Sequence, residues 1–84
     1  MLKIDYDSKF DILYISIGNP VPSYGEEKTP GLVVLKNIET DEITGITIFD
    51  FMRRVKDNTM KDLEIPIEID INKISQNINT YRYF

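Results

Sequence analysis

Residues 2–17 read Leu2-Lys3-Ile4-Asp5-Tyr6-Asp7-Ser8-Lys9-Phe10-Asp11-Ile12-Leu13-Tyr14-Ile15-Ser16-Ile17. Leu2, Ile4 and Tyr6 alternate with Lys3, Asp5 and Asp7, the period of a strand with one face buried. Asp7-Ser8-Lys9 is turn chemistry, because short polar side chains bond nearby backbone groups. Residues 11–17 resume the alternation, with Leu13, Ile15 and Ile17 on one face and Ile12, Tyr14 and Ser16 on the other. The two runs and their link predict a β-hairpin.

Beyond it, Gly18-Asn19-Pro20-Val21-Pro22 breaks the pattern, since two prolines fix the backbone and remove two donors. Ser23–Thr29 is polar and has room for a short irregular strand around Tyr24. Pro30-Gly31 is a turn signal. Leu32-Val33-Val34-Leu35 is apolar on both faces, as in a central strand or one that faces a partner subunit. After the polar turn at residues 39–42, Ile43–Phe49 is strand-like, and Gly45 within it marks a bulge or a close backbone approach. At Asp50 the period changes. Residues 50–55 suit a short helix with Asp50 as N-cap and Phe51, Met52 and Val55 facing inward, ended by Asp57-Asn58. Leu63, Ile65, Ile67, Ile69 and Ile71 then form the clearest period-two run in the chain. Pro66 makes it an edge strand or a lone extended segment. Ile71, Ile74 and Ile78 fall at helical spacing after Asp70, a second N-cap. The fold class expected is α+β: an antiparallel β-meander of four to five strands, one short helix after the fourth strand, and a short C-terminal helix.

Composition supports strand over helix. The 84 residues include no alanine, the best helix former, and isoleucine dominates the apolar set. A chain of this length makes one domain and buries roughly 60–65% of its unfolded surface, so its own core supplies about 3–5 kcal/mol. With no cysteine and no histidine, neither disulfides nor Cys/His zinc sites are available. A second subunit is the remaining standard device, so a homo-oligomer is expected, with a dimer favoured. The net charge of −4 argues against nucleic-acid binding. No stretch is apolar for long enough to span a bilayer, and the start, Met1-Leu2-Lys3-Ile4-Asp5, lacks the long apolar stretch expected of a secretory signal. A cytoplasmic protein is the expectation.

Few residues point to chemistry. Asp5-x-Asp7 resembles the start of a calcium loop, but Lys9 stands where the next oxygen ligand belongs and no turn glycine follows. Asp7 and Asp11 are therefore read first as turn-capping and solvated carboxylates. Asp50 sits where strand gives way to helix, and N-capping is its structural role. Arg53, Arg54, Lys56 and Lys61 make the only basic concentration. They complement a helix C-terminus or offer a contact patch for an acidic protein surface or RNA. The usual nucleophile and base, Cys and His, are missing, so no catalytic residue, cofactor or metal is assigned. For an interface the candidates are Leu32, Val33, Val34 and Leu35, with the aromatic tail Tyr81, Tyr83 and Phe84.

Tyr6-Asp7, then residues 11–15, then Gly31-Leu32-Val33-Val34, then Gly45-Ile46-Thr47-Ile48-Phe49-Asp50-Phe51 together resemble the prokaryotic family catalogued as domain of unknown function 2283. The resemblance covers about residues 2–54, and residues 55–84 read as a C-terminal extension of the same domain. It implies little chemistry, because the family has no established activity. Some members resemble the antitoxin half of small two-gene modules. The functional expectation is a small protein-interaction module acting as a homo-oligomer, antitoxin-like in one form. The alternatives are a small carboxylate-based enzyme and a ligand- or metal-sensing domain with its site at a subunit cleft.

Overall fold

The computed structural model describes residues 1–82, and Tyr83 and Phe84 lie outside the described residues. The strands are β1 (Leu2–Asp7), β2 (Ile12–Ile17), β3 (Ser23–Thr29), β4 (Leu32–Asn37) and β5 (Ile43–Phe49), followed by helix α1 (Phe51–Asp57), a 3-10 turn at Met60–Asp62, helix α2 (Ile71–Gln76) and a second 3-10 turn at Ile78–Tyr81. The strands form one antiparallel sheet in the order β1-β2-β5-β4-β3, so the α+β class holds.

The topology departs from a strict meander. β1 and β2 form the expected hairpin, and β3, β4 and β5 form a meander, but β5 returns to pair with β2. Residues 18–22 therefore carry the chain from β2 to the far edge. That crossing passes three strand positions, about 14 Å, and five extended residues reach roughly 17 Å. The prolines that break the strand pattern also keep this connection extended.

β3 is a full strand of seven residues, six of them exposed. Its polarity made it faint in the sequence because, as an edge strand, it has no apolar neighbour on one side. The clearest period-two run behaves in the opposite way. Residues 63–70 join no ladder. They cross the sheet as a lone extended strap, with Leu63 buried and Ile65, Ile67, Ile69 and Ile71 packed half-buried against the core. Alternation reports one covered side, which a strap lying on a sheet satisfies as well as a strand does.

The register places Ile4, Tyr6, Leu13, Ile15, Ile46, Ile48, Leu32 and Val34 on one face. Phe51, Leu63 and Ile74 complete a single core cluster on that face, so residues 55–82 share the core of the first part of the chain. The Tyr6 and Phe51 rings meet edge to face, with centroids 6.3 Å apart at 64°. Asp70 caps α2 as expected, accepting from Lys73 N at 3.0 Å. Ile78 falls past the end of α2, in the second 3-10 turn. Gly45 meets both expectations: a Cβ there would sit 2.6 Å from the Ile15 carbonyl oxygen, and the β4–β5 register shifts beside it.

Candidate functional site

Two places gather the residues singled out in the sequence: the junction of the β1–β2 turn with α1, and the face of the sheet opposite the core.

At the junction the acidic residues divide the work differently from the sequence reading. Asp50 does occupy the N-cap position of α1, but in the left-handed region (φ 56°), and its side chain makes no capping bond. Asp11 supplies the cap from 41 positions away. Its Oδ1 accepts from Met52 N at 2.8 Å, its Oδ2 from Arg53 N at 3.1 Å, and its backbone oxygen from Phe51 N at 3.0 Å. Arg54 N bonds the Asp50 oxygen at 2.9 Å. Of the four N–H groups that a helix start leaves without intrahelical partners, three are thus satisfied by one residue. Local sequence could not reveal this, because a window around residue 50 does not contain residue 11.

Tyr6 completes the junction by donating its hydroxyl to Asp11 Oδ1 at 2.7 Å. Burial, then the hydrogen bond to Asp11, pushes the Tyr6 phenol well above the usual tyrosine range. Asp7 shapes the turn beneath, accepting from Lys9 N at 2.9 Å and Phe10 N at 3.2 Å. Asp7 and Asp11 are therefore joined through the structure of the hairpin turn. Asp5 stands apart, 3.8 Å from Lys3 Nζ.

The basic pair lies on the outer side of α1. Arg53 faces Asp57 at 3.9 Å, a weak exposed pair one helical turn apart. Arg54 reaches the Pro30 carbonyl at 3.2 Å and the Thr59 carbonyl at 3.5 Å, tying α1 to the β3–β4 turn. With Asp50, Asp57, Thr59 and Asp62 these arginines line a shallow cavity of about 230 Å³. Asp50, Arg53 and Arg54 do converge there, whereas Asp7 and Asp11 do not. A larger depression is lined by residues 68–72, one continuous segment. Among the described residues no group of three or more acidic, His or Cys side chains is arranged to hold a metal ion. Tyr24 is the other group with a displaced ionisation, raised by its hydrogen bond to Asp41 at 2.7 Å.

The second place is the opposite sheet face. Alternation sends Lys3, Asp5, Ile12, Tyr14, Ser16, Gly45, Thr47, Phe49, Val33, Leu35, Gly25 and Glu27 away from the core. The register sets them in rows: Lys3, Ser16, Gly45, Leu35, Gly25, and beside it Asp5, Tyr14, Thr47, Val33, Glu27. The helices and strap pack on the other side, and Ile12, Val33 and Leu35 touch no part of the core cluster. Tyr14 is 36% exposed and Phe49 39%, large values for residues on β2 and β5, strands paired on both sides. Of the interface candidates, Leu32 and Val34 are buried in the chain's own core, Val33 and Leu35 face outward, and Tyr81 packs against the core. Tyr83 and Phe84 lie outside the described residues. The signal for this face was present in the sequence as apolar residues on both sides of β2 and β4.

Among the described residues no helix is long and apolar enough to cross a membrane. No family model, curated protein or solved structure matches this chain.

Proposed function

We propose that this chain is a protein-interaction module that does its work by contact through the uncovered face of its sheet. The observation that carries the reading is that face itself: Ile12, Tyr14, Val33, Leu35 and Phe49 lie together on strands whose other side is already the core. Contiguous apolar patches of more than a few hundred Å² on a small protein mark surfaces that meet another macromolecule. Strands apolar on both sides belong to the interior of a layered structure, and among the described residues no element supplies the second layer. The carboxylates of Asp7 and Asp11 are committed to structure, Asp7 to a turn and Asp11 to a helix start.

The homo-oligomer expected from a small core uses the same surface. So does the antitoxin-like role that the resemblance to the domain of unknown function 2283 family suggests. The cysteine-free composition suits a reducing compartment, and the proposal places the module in the cytoplasm.

The test is a paired substitution on the exposed face, Tyr14→Lys with Phe49→Lys. Both side chains point away from the core, so circular dichroism and the thermal transition should stay close to the parent. Self-association, and any complex with the product of the adjacent gene on co-expression, should be lost. Unchanged assembly in this variant, with loss instead on substituting Arg53 and Arg54, would move the contact surface to α1 and defeat the reading.

A further inference from the structure

We infer that the occupant of the uncovered face is a second copy of this chain, packed sheet on sheet about a two-fold axis that lies in the plane of the face and runs across the strands. This rests on the reading of that face as a contact surface and goes on to name what covers it.

Area is the first argument. Five strands at about 4.8 Å spacing and six or seven residues long make a face of roughly 24 by 20 Å. Two such faces bury about 1,000 Å², the lower limit for a specific interface, and the large side chains of Tyr14 and Phe49 add to it. Both are exposed here. A face of this size suits another face of the same outline better than a peptide or a single helix.

The edges of the sheet do not compete. The β1 edge is bridged by Arg82 at Tyr6, with the turn at Ile78–Tyr81 packed beside it. The β3 edge carries Glu26, Glu27 and Lys28 and a register shift between Glu27 and Thr29. Charges and bulges are the devices by which edge strands avoid pairing with another copy.

Shape and charge select the axis. The row Asp5, Tyr14, Thr47, Val33, Glu27 carries the exposed Tyr14, and the adjacent row Lys3, Ser16, Gly45, Leu35, Gly25 has small residues at Ser16 and at the two glycines. An axis across the strands, between these rows, lays each row of one copy over the other row of its mate. It sets Tyr14 against Ser16 and Gly45 of the second copy. The same operation brings Lys3 over Asp5 of the other copy, twice by symmetry, and sets Glu27 against Gly25. An axis along the strands would instead set Asp5 against Glu27, like charge on like. The isologous arrangement is thus the one in which every rim charge finds an opposite or a neutral neighbour.

The protein has no cysteine, so the thiol of Ser16→Cys, close to serine in size and exposed in the single chain, reports the covered face without background. The expected result is a dimer by sedimentation at tens of micromolar in which alkylation of that thiol is slowed by about tenfold or more relative to the dilute single chain. Lys3→Glu should raise the dimer dissociation constant about tenfold, as two exposed ion pairs become repulsive. The double reversal Lys3→Glu with Asp5→Lys should restore it to within about threefold. A dimer in which the Ser16→Cys thiol stays as reactive as in the single chain, as edge pairing through β3 would leave it, overturns the inference. So does a double reversal that fails to restore the dimer. A chain that stays single up to about 100 µM also overturns it. In that event, loss of a complex with another protein in the Tyr14→Lys, Phe49→Lys variant leaves the contact reading standing. No effect of that variant on any assembly removes both.

Discussion

Replacing Asp11 by alanine is expected to destabilise the fold by about 3 kcal/mol, most of what a core of this size supplies. The magnitude has three parts. Loss of the cap on α1 removes the acceptor for Met52 N and Arg53 N, which costs about 1 kcal/mol. Tyr6, 6% exposed, is left with a buried hydroxyl and no carboxylate to receive it, which costs about another 1 kcal/mol at the low end of the range for an orphaned donor. Asp11 has φ 56°, a left-handed conformation that aspartate tolerates by local hydrogen bonding and alanine resists by about 1 kcal/mol. Urea unfolding followed by circular dichroism measures the sum. With a slope near 1 kcal/mol per molar, the midpoint should fall by about 3 M. Asp11→Asn keeps one acceptor oxygen and the tolerance for positive φ, so roughly half the loss is expected, which keeps the effect measurable if the alanine variant fails to fold. Asp50 is the control. It makes no capping bond and has φ 56°, so Asp50→Gly should leave stability unchanged or raise it by up to about 1 kcal/mol. An Asp11→Ala variant within about 0.5 kcal/mol of the parent, or an Asp50→Gly variant that loses as much as Asp11→Ala, would refute the assignment of the cap.

Further outcomes follow from other features of the fold. The Tyr6 phenol is raised by burial and by Asp11, so the unfolded chain releases its proton near pH 10 while the folded chain keeps it. The folded state therefore holds its full advantage below pH 10 and loses up to about 1.4 kcal/mol per pH unit above it, and alkaline unfolding of Tyr6→Phe should lack that slope. Gly45→Ala forces a Cβ to within 2.6 Å of the Ile15 backbone oxygen. Splaying β2 from β5 to admit it should cost on the order of 2 kcal/mol, read as a lower thermal midpoint. Pro66 lies in the strap, outside any ladder. Pro66→Ala should thus change stability by less than about 1 kcal/mol, through the unfolded chain alone; a larger gain would mean that residue 66 has a pairing partner after all.

Much of the architecture was legible because it is local. The hairpin of β1 and β2, the double-sided β4, the switch from strand to helix at Asp50 and the Asp70 cap each follow from residues within one short window. Side-chain periodicity and turn chemistry act at that range. Two points were settled only at longer range. Pro66 left the most regular alternation, at residues 63–71, as an edge strand or a lone extended segment, and the structure selects the second, a strap. Alternation records which side is covered and does not record whether the backbone is paired. Asp50 looked like the cap because capping residues normally lie beside the helix they cap, whereas the sheet brings Asp11 there from the other end of the chain's first half.

By itself, then, the sequence determined the α+β class, the small single core and the presence of strands with two apolar sides, since each depends only on which residues alternate and how many can be buried. Tertiary structure decided the rest: that β5 returns to β2, that α1 and the strap choose one face of the sheet and leave Tyr14 and Phe49 exposed on the other, and that Asp11 and not Asp50 holds the helix start. These outcomes depend on residues far apart in the chain meeting in space. Strand pairing and burial are won across the whole molecule, where no local pattern carries the information.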